Sequence, residues 1–451
     1  MKKTKRIIAL ALAIIMIVGT MFSLSSCLST FLHILENVPG NGNFEIIEGG
    51  NQENEGSGEG SGPSSGEGSG NGSAGSNGGE AEFLPGSENN GELVDSVSDL
   101  QRAVLSTVLI RVTHEVYAGD FNGYGYDDYI IPETSAGSGV IYQLDRESGD
   151  AYIITNYHVV YEADSITSNG IADTISVYLY GQEYSTYAIP ATYVGGSMTY
   201  DIAVLKVEDS EVLRNSLAVA ASVADSDKIS IMDECYVIGN AEGEGMSVTE
   251  GIISVDSESL TMTGADNRTT VDLRVIRVSA AVNSGNSGGG LYDENGKLIG
   301  IVVAKKTGDD VDNMGYAIPS TLAQNLVDNI IDNCNGTSST SLKRVLLGIT
   351  LSAYTTGLTV DEETGKIVRS ELVEIVELSD TCLFLGEFEA GDIITSITVD
   401  GVTRSVTRTH HVIDHMMRAR VGSEVTMTVE RNGETVSATV TIPASAVTTV
   451  K

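Results

Sequence analysis

Short runs of alternating apolar and polar residues fill most of the chain beyond residue 100, and they predict a mainly β protein. Val, Ile, Thr and Tyr dominate these runs, while Gly, Asn and Asp separate them. Residues 100–112 predict a short helix that leads into a strand. Further strands are predicted at residues 139–144, 152–155, 175–180, 202–207, 235–238, 251–255, 275–278 and 298–304. This spacing is typical of an all-β barrel or sandwich.

The pattern changes at residue 320. Residues 320–333 are amphipathic at helical spacing and predict a helix with Ser320 as its N-cap. A polar stretch follows, and then strands return at residues 347–351, 372–376, 392–399, 424–431 and 435–442, with a helix at 408–420. We therefore expect two folded domains, a larger β domain over residues 93–335 and a smaller α+β domain over residues 345–445.

The first 27 residues have the pattern of a secretory signal peptide. A short cationic region precedes an almost unbroken apolar run at residues 7–22. The sequence that follows, Leu24-Ser25-Ser26-Cys27, resembles a bacterial lipobox, in which the cysteine becomes lipid-modified. An uncleaved signal anchor is the alternative, although the apolar run is slightly short for a membrane span. Either way, we expect the folded part to lie outside the cytoplasm, anchored to a bacterial membrane.

Residues 28–92 are rich in Gly, Ser and Glu and predict a disordered linker, because they offer almost no apolar surface to bury. The whole chain of 451 residues has a formal net charge of −36. Phosphate binding needs a cationic surface, so this charge argues against a nucleic-acid partner. The few cysteines form no disulfide framework. We expect Cys235, Cys334 and Cys382 to be buried or isolated thiols, with a single 334–382 bridge as the alternative.

Three short segments supply candidate catalytic residues. His158 follows a predicted strand, Asp201 precedes another, and Ser287 lies in a glycine-rich run at residues 285–289. Each is ambiguous alone, because histidines, aspartates at strand ends and glycine-rich loops have many structural roles. Together they provide a base, an orienting carboxylate and a nucleophile in the chain order His, Asp, Ser. That order is the one found in chymotrypsin-type barrels.

The chemistry of acyl transfer requires each of these residue types. A serine hydroxyl is a weak nucleophile unless a base takes its proton, so we expect His158 to accept it and later to protonate the leaving amine. Asp201 would fix the imidazole tautomer. The neighbouring glycines permit a sharp turn that directs backbone N–H groups at the developing oxyanion. The predicted oxyanion hole comprises Gly285, Asn286 and Ser287.

These segments, together with residues 237–255, 280–291 and 315–320, resemble the HtrA/Deg family of trypsin-like serine proteases with C-terminal PDZ domains. The matching stretches cover most of residues 101–333. The resemblance implies a chymotrypsin-like double β-barrel, a catalytic triad of His158, Asp201 and Ser287, no cofactor and a homotrimer. In the loop at residues 239–245, Ala241 and Glu242 stand where the family usually has Pro and Phe.

The C-terminal region resembles a PDZ domain more loosely, through residues 388–394 and 399–401. The resemblance implies that Leu347, Gly348 and Ile349 receive a peptide C-terminus, because PDZ domains bind by adding a strand to a sheet edge. A structural β domain that binds nothing is the alternative. No metal site is predicted. His411 and His415 have helical spacing, but no His-Glu-x-x-His pattern or third ligand accompanies them.

The resemblance to chymotrypsin-type enzymes also places the pocket for P1, the substrate residue before the scissile bond. Its floor lies six residues before the nucleophile, at Ala281. The whole predicted lining is aliphatic and comprises Ala280, Ala281, Val282, Ile301, Val302 and Val303. A pocket for Arg or Lys needs a carboxylate at the floor, since an unpaired cation is costly to bury. We therefore expect cleavage after Val, Ala, Ile or Leu.

The leading hypothesis is an ATP-independent serine endopeptidase that acts on misfolded or damaged exported proteins. The chain has no Gly-x-x-x-x-Gly-Lys-Ser nucleotide motif. The alternatives are a chaperone that mainly binds unfolded polypeptides and a signalling protease switched by its PDZ domain. The candidate triad favours cleavage over binding alone, but it does not separate general degradation from signalling cleavage.

Overall fold

The computed structural model describes residues 97–118, 129–182, 185–303, 314–333, 340–362 and 364–450. The predicted signal peptide, Cys27, the predicted linker and Cys334 lie outside these residues. No helix within the described ranges is long and apolar enough to cross a membrane. The described residues are mainly in strands and belong to one compact unit. The predicted fold class is confirmed: a barrel pair is followed by a smaller α+β domain.

Six antiparallel strands build the first barrel, after a short helix that leads directly into the first of them. The elements are α1 (Asp99–Ser106), β1 (Thr107–Ala118), β2 (Tyr129–Asp145), β3 (Asp150–Thr155), α2 (Tyr157–Val160), β4 (Thr174–Leu179), β5 (Ile189–Ser197), β6 (Ile202–Val207) and α3 (Glu211–Arg214). The strand order is β5-β4-β1-β2-β3-β6, and an additional β5–β6 pairing closes the ring. Alternate side chains such as Val108, Ile153 and Leu205 fill its interior and are completely buried.

The second barrel is also closed and supplies the loop that carries Ser287. Its strands are β7 (Glu234–Gly239), β8 (Ser247–Thr263), β9 (Thr270–Val278), β10 (Gly290–Asp293), β11 (Leu298–Val303) and β12 (Gly315–Pro319), followed by helix α4 (Ser320–Asp332). The apolar face of α4 packs Leu322, Leu326 and Ile330 into a core cluster that includes residues of both barrels. The helix therefore covers the junction between the barrels.

The C-terminal domain is a six-stranded antiparallel sheet covered by one short helix. Its elements, with the strands that flank them, are β13 (Thr340–Val345), β14 (Ile349–Val360), β15 (Ile367–Leu378), β16 (Ile393–Val399), β17 (Val402–Ser405), α5 (Thr409–Met416), β18 (Glu424–Arg431), β19 (Glu434–Thr441) and β20 (Val447–Val450). The sheet order is β14-β15-β16-β18-β19, with β17 paired to β16, so β14 is an edge strand. Val412 and Met416 of α5 pack against Phe384 in the core of this domain.

The flanking strands β13 and β20 join the first barrel instead. Strand β13 pairs with β5 at Thr340↔Gly195, and β20 pairs antiparallel with β13 from Leu342↔Val450 to Val345↔Val447. The chain therefore enters and leaves the C-terminal domain through strands that belong to the sheet of the first barrel.

Some details of the sequence prediction are wrong, for identifiable reasons. Ser320 is not an N-cap: Pro319 occupies that position, and the Ser320 hydroxyl donates to the Ala224 carbonyl instead (2.7 Å). The helix predicted at residues 408–420 ends at Met416, because the next N–H groups bond three residues back and tighten the chain into turns. Strand β5 was not predicted, since its Pro190, Gly195 and Gly196 are typical turn residues.

Candidate active site

His158 lies in the single turn of helix α2, directly after β3 of the first barrel. The two residues before α2, Thr155 and Asn156, are completely buried. The Asn156 side chain donates from Nδ2 to the Asp201 backbone carbonyl (2.9 Å). The end of β3 is thereby joined to the start of β6, which brings His158 and Asp201 together although they are distant in sequence.

Asp201 adopts a left-handed backbone conformation, with φ of 50°. This region is unfavourable for most residues, although aspartate tolerates it better than β-branched residues do. The conformation turns the carboxylate toward His158 at the point where β6 begins. Asp201 is 5% exposed, so few water molecules compete for its oxygens.

The three predicted triad residues are within hydrogen-bonding distance of one another. The Asp201 carboxylate accepts from the His158 backbone N–H through Oδ1 (3.0 Å) and contacts His158 Nδ1 through Oδ2 (2.7 Å). His158 Nε2 lies 2.9 Å from Ser287 Oγ. A proton on Nδ1, held by the carboxylate, leaves Nε2 as an acceptor facing the serine hydroxyl. The arrangement is chemically competent for nucleophilic attack by Ser287.

Two glycines give the loop around Ser287 its shape. Gly285 and Gly288 have φ of 89° and 82°, which other residues rarely adopt. A Cβ atom at Gly285 would lie 2.1 Å from the Asn240 carbonyl oxygen, and one at Gly288 would lie 2.2 Å from that of Ser138. Both positions therefore require glycine, because of the positive φ angle and because a Cβ atom would clash with the backbone.

The backbone carbonyls of the Ser287 loop are fixed by hydrogen bonds. Ser284 O accepts from the Glu242 N–H (2.7 Å), Asn286 O from the Gly289 N–H (2.9 Å), and Ser287 O from the Ser138 N–H (2.8 Å). In a planar trans peptide the N–H points opposite to the C=O, so fixing these carbonyls also fixes the N–H directions. Glu242 reaches Ser284 from a left-handed conformation (φ 57°).

Asn286 departs from the oxyanion-hole prediction. Its N–H donates to the Asn283 carbonyl (3.1 Å) and closes the turn that precedes the nucleophile. A donor used inside the turn cannot also be directed at a substrate oxygen. The correction leaves the N–H groups of Gly285 and Ser287 as the candidate donors.

The structure brings only part of the predicted P1 lining together. Ala280 and Val302 are buried in one core cluster of the second barrel, and Val282 packs against it. Ile301 and Val303 belong to a different cluster, because alternate residues of β11 point to opposite faces of the strand. Ala281 is exposed, and its carbonyl accepts from Thr249 Oγ1 (2.8 Å). Ala281, Ile301 and Val303 therefore lie outside the cluster of Ala280 and Val302, and the P1 lining as a whole stays a prediction.

The predicted peptide-binding residues of the C-terminal domain lie at the start of edge strand β14. Gly348 has φ of 75°, and a Cβ atom there would lie 2.7 Å from Cys382 Cα. The carbonyls of Leu347 and Gly348 accept from the N–H groups of Leu383 (3.0 Å) and Ser379 (2.8 Å). Leu347 is itself buried in the domain core. Two backbone hydrogen bonds thus hold the loop where edge strand β14 begins.

A cluster of charged residues between the C-terminal domain and the second barrel was missed from the sequence. Asp227 pairs with Arg274 (2.8 Å) of the second barrel and with Arg404 of the C-terminal domain. Asp414 on α5 lies 3.2 Å from Arg274. We call Asp227, Arg274, Arg404 and Asp414 the interdomain charge cluster. Its members occur singly in the sequence, in contexts typical of solvated charges, so no local signal identified them.

The two histidines at the start of α5 border this cluster. His410 Nε2 and His411 Nε2 lie 3.6 Å and 3.9 Å from the Asp227 carboxylate. Their spacing with Asp227 is compatible with a metal ion. However, both carboxylate oxygens already bind arginines, and two guanidinium groups repel a further cation. The donor set does not fit a metal. His415 is elsewhere, with Nε2 2.9 Å from the Val402 carbonyl.

Burial controls the protonation of these groups. Desolvation lowers the pKa of His411 to about 4 and raises the pKa of the Asp414 carboxyl to about 7. Burial alone would raise the pKa of Asp227, but contact with His410, Arg274 and Arg404 outweighs it, and the pKa is lowered overall. Among the thiols, Cys235 and Cys382 are buried and free, as the sequence predicted.

Comparison with known proteins identifies two family matches. Residues 137–301 match the trypsin-like peptidase domain, and residues 345–442 match the PDZ domain. Serine protease Do-like HtrA of Lactococcus lactis is 32% identical over 322 residues, which are 69% of this chain and 72% of that protein.

Three other similar proteins cover different shares of the chain. Periplasmic pH-dependent serine endoprotease DegQ of Escherichia coli is 28% identical over 380 residues, covering 80% of this chain and 73% of the relative. Serine protease Do-like HtrA of Bacillus subtilis is 30% identical over 267 residues, or 59% of this chain, and the match spans about half of that relative (53%). A solved structure, HtrA-type protease AlgW with decapeptide, is 25% identical with a TM-score of 0.47, covering 77% of this chain and 97% of that one.

Proposed function

Because the chain belongs to the HtrA family of serine proteases, with a trypsin-like domain followed by a PDZ domain, we propose that it is an extracytoplasmic serine endopeptidase for misfolded or damaged exported proteins. The observation that carries this proposal is the hydrogen-bonded series from Asp201 through His158 to Ser287, with contacts of 2.7 Å and 2.9 Å. Such a series supplies the base that activates the serine hydroxyl and the carboxylate that orients this base.

The proposed mechanism follows from these contacts. Ser287 Oγ attacks the scissile carbonyl while its proton moves to His158 Nε2. Asp201 stabilises the resulting imidazolium through Nδ1. The N–H groups of Gly285 and Ser287 receive the oxyanion, and His158 then protonates the leaving amine. Water repeats the sequence on the acyl-enzyme and frees Ser287.

Replacement of the nucleophile tests this proposal directly. Ser287→Ala should abolish casein cleavage and labelling by a fluorophosphonate, since losing a triad member costs on the order of 10⁴–10⁶ in kcat. Ser148→Ala, at a half-buried position in the turn between β2 and β3, is the matched control and should behave like the wild type. Full cleavage by Ser287→Ala would refute the endopeptidase proposal and favour a protein that mainly binds unfolded chains.

We further propose an aliphatic P1 specificity. Ala280, Val282 and Val302 carry no charge that could pair with a basic side chain. Selection among Val, Ala, Ile and Leu should be modest, because one methylene is worth only about 1–3 kcal/mol. A peptide-library cleavage profile measures this preference directly. Dominant cleavage after Arg or Lys would contradict the pocket assignment.

Peptide C-termini are the proposed ligands of the PDZ domain. The free edge of β14 and the rigid loop at Leu347 and Gly348 support strand addition with the carboxylate held by backbone N–H groups. The interdomain charge cluster favours a second role for this domain, since a ligand that moves α5 would disturb contacts with the second barrel. A PDZ-switched signalling protease is therefore the second candidate function. Activity that does not respond to any C-terminal peptide would argue against it.

Membrane attachment through a lipid on Cys27 and assembly as a homotrimer are proposals that rest on the sequence and on family resemblance. Cys27→Ala should release the protein from the detergent phase or leave it unprocessed. Unchanged attachment would instead support the signal anchor. Sedimentation analysis of the residues after the linker measures the oligomeric state.

A further inference from the structure

Ser138, in β2 of the first barrel, connects the two halves of the candidate active site. Its backbone N–H donates to the carbonyl of Ser287 (2.8 Å). Its own carbonyl accepts from Thr155 Oγ1 (2.7 Å), three residues before His158. Nucleophile and base come from different barrels, and this one residue bonds to the segments that carry both.

The Ser138 hydroxyl makes two further hydrogen bonds to the second barrel. Oγ donates to the Gly285 carbonyl (2.7 Å) and accepts from the Asn240 N–H (2.8 Å). Ser138 is completely buried, so water cannot replace either bond. The Asn240 contact holds the loop from which the Glu242 N–H reaches the Ser284 carbonyl (2.7 Å).

The four backbone carbonyls from Ser284 to Ser287 all accept a hydrogen bond, but only one of them accepts it from a side chain. Glu242, Gly289 and the Ser138 backbone fix three through N–H groups, and the Ser138 hydroxyl fixes the fourth, at Gly285. The Gly285 carbonyl belongs to the Gly285–Asn286 peptide, which joins the two peptides whose N–H groups are the candidate oxyanion donors. Because each peptide unit is planar, the hydroxyl restrains this joining peptide and, through it, the donor peptides on either side. It also holds Asn240, and through that loop it supports the Ser284–Gly285 peptide.

The surroundings of Ser138 are shaped to admit this contact. A Cβ atom at Gly239 would lie 3.0 Å from Ser138 Oγ, and one at Gly137 would lie 2.7 Å from Val159 Cγ1. A Cβ atom at Gly139 would lie 2.8 Å from Ile110 Cδ1. Because these glycines have no side chains, β2 approaches the nucleophile loop closely enough for the Ser138 hydroxyl to bond directly to the Gly285 carbonyl.

We propose that Ser138 is a positioning residue whose hydroxyl holds the Gly285–Asn286 peptide, and with it the oxyanion-donor peptides on either side, in the productive orientation. It touches neither the substrate nor the reacting atoms, and it acts through Gly285 and Asn240. This inference goes beyond the proposed function and rests on it, since an oxyanion hole matters only if Ser287 is the nucleophile.

The test compares Ser138→Ala with a matched buried serine. Ser320 is 1% exposed, and its Oγ donates to the Ala224 carbonyl at the same 2.7 Å, outside the proposed catalytic machinery. We expect Ser138→Ala to lower kcat about 10- to 100-fold with KM changed less than about twofold, because the oxyanion forms only after binding. Ser320→Ala should keep its kcat at a similar loss of stability.

A transition-state analogue separates positioning from general loosening. A peptide boronate forms a tetrahedral adduct with Ser287, so Ser138→Ala should weaken its inhibition by the same factor as kcat/KM. Binding of the uncleaved peptide, measured in the Ser287→Ala background, should remain unchanged. Ser138→Cys, which keeps the side-chain shape but weakens the donor, provides the same comparison if the alanine variant fails to fold.

The outcomes distinguish the two hypotheses. An inactive wild type would refute the proposed endopeptidase. An active wild type with unchanged kcat in both Ser138 variants would refute the positioning role alone. The positioning role would also be refuted if kcat fell equally in Ser320→Ala. It would be refuted, too, if KM rose in Ser138→Ala while kcat and boronate inhibition were retained.

Discussion

Removal of the Asp227 side chain should weaken the contact between the C-terminal domain and the second barrel. The Asp227 side chain is 6% exposed and pairs with Arg274 and Arg404, whose side chains are 12% and 24% exposed. In Asp227→Ala the two guanidinium groups would lose the buried carboxylate that they share, which leaves Arg404 with Asp225 and Arg274 with Asp414. Breaking a buried pair by removing one partner typically costs about 3–5 kcal/mol, and we expect a loss of that size in the free energy of unfolding.

The neighbouring Asp225 provides the matched control. It also pairs with Arg404 (3.1 Å), but its side chain is 31% exposed. Partly exposed ion pairs contribute about 0–1 kcal/mol, and Asp225 Oδ1 also accepts from the Asp227 N–H (3.1 Å) as an N-cap. Asp225→Ala should therefore cost about 1 kcal/mol, clearly less than Asp227→Ala. In an Arg404→Ala background, Asp227→Ala should lower the free energy of unfolding by less than it does in the wild type. One of the two arginines that would lose the Asp227 carboxylate is already absent there.

The assay is urea unfolding followed by far-UV circular dichroism, because the chain has no tryptophan. Limited proteolysis of the Ser287→Ala form, which should not digest itself, reports separately whether the domains have come apart. A loss below about 1 kcal/mol in Asp227→Ala, or one equal to that of Asp225→Ala, would refute the argument that burial makes this contact strong.

Three further predictions concern backbone shape and protonation. Gly285→Ala should lower kcat at least about 100-fold, because its Cβ would lie 2.1 Å from Asn240 O and displace an oxyanion donor; steady-state kinetics of the folded variant decide this. The raised pKa of Asp414, about 7, means that its contribution to stability is present below pH 4 and is lost as the pH rises through 7. Asp414→Asn should therefore gain stability relative to the wild type between pH 5 and pH 8 in urea unfolding, and a constant difference would contradict this. The lowered pKa of His411, about 4, has the opposite sign: stability is lost as the pH falls from about 6.5 to 4, so His411→Gln should unfold less readily than the wild type at pH 4.5 relative to pH 7.5.

The sequence was sufficient to identify the three candidate triad residues because their signals are local and chemically specific. His158 follows a strand, Ser287 lies among glycines, and the chain order points to one barrel type. The fold class followed from strand spacing for the same reason. The P1 lining was only partly predictable, since residues adjacent in sequence, such as Val302 and Val303, point to opposite faces of β11.

The features that were missed depend on contacts between distant parts of the chain. Ser138 lies between Gly137 and Gly139, a pattern that indicates a turn, yet it is a buried strand residue with every polar atom bonded. Asp227 and Arg404 resemble solvated charges until the two domains meet. No spacing rule connects them, because their pairing arises only from tertiary packing.

The strands β13 and β20 have a mechanical consequence for the PDZ domain. A domain joined by one linker can rotate about a single point. In this domain the first strand, β13, pairs with β5 of the first barrel, and the last strand, β20, pairs with β13. A large rigid-body rotation of the domain would require breaking the hydrogen bonds between β20 and β13 or between β13 and β5. The domain should therefore move only by small rotations about these two adjacent strands. Truncating the chain at residue 335 would remove both strands from the protease sheet and expose a new edge at β5, so such a fragment should aggregate more readily than the full chain.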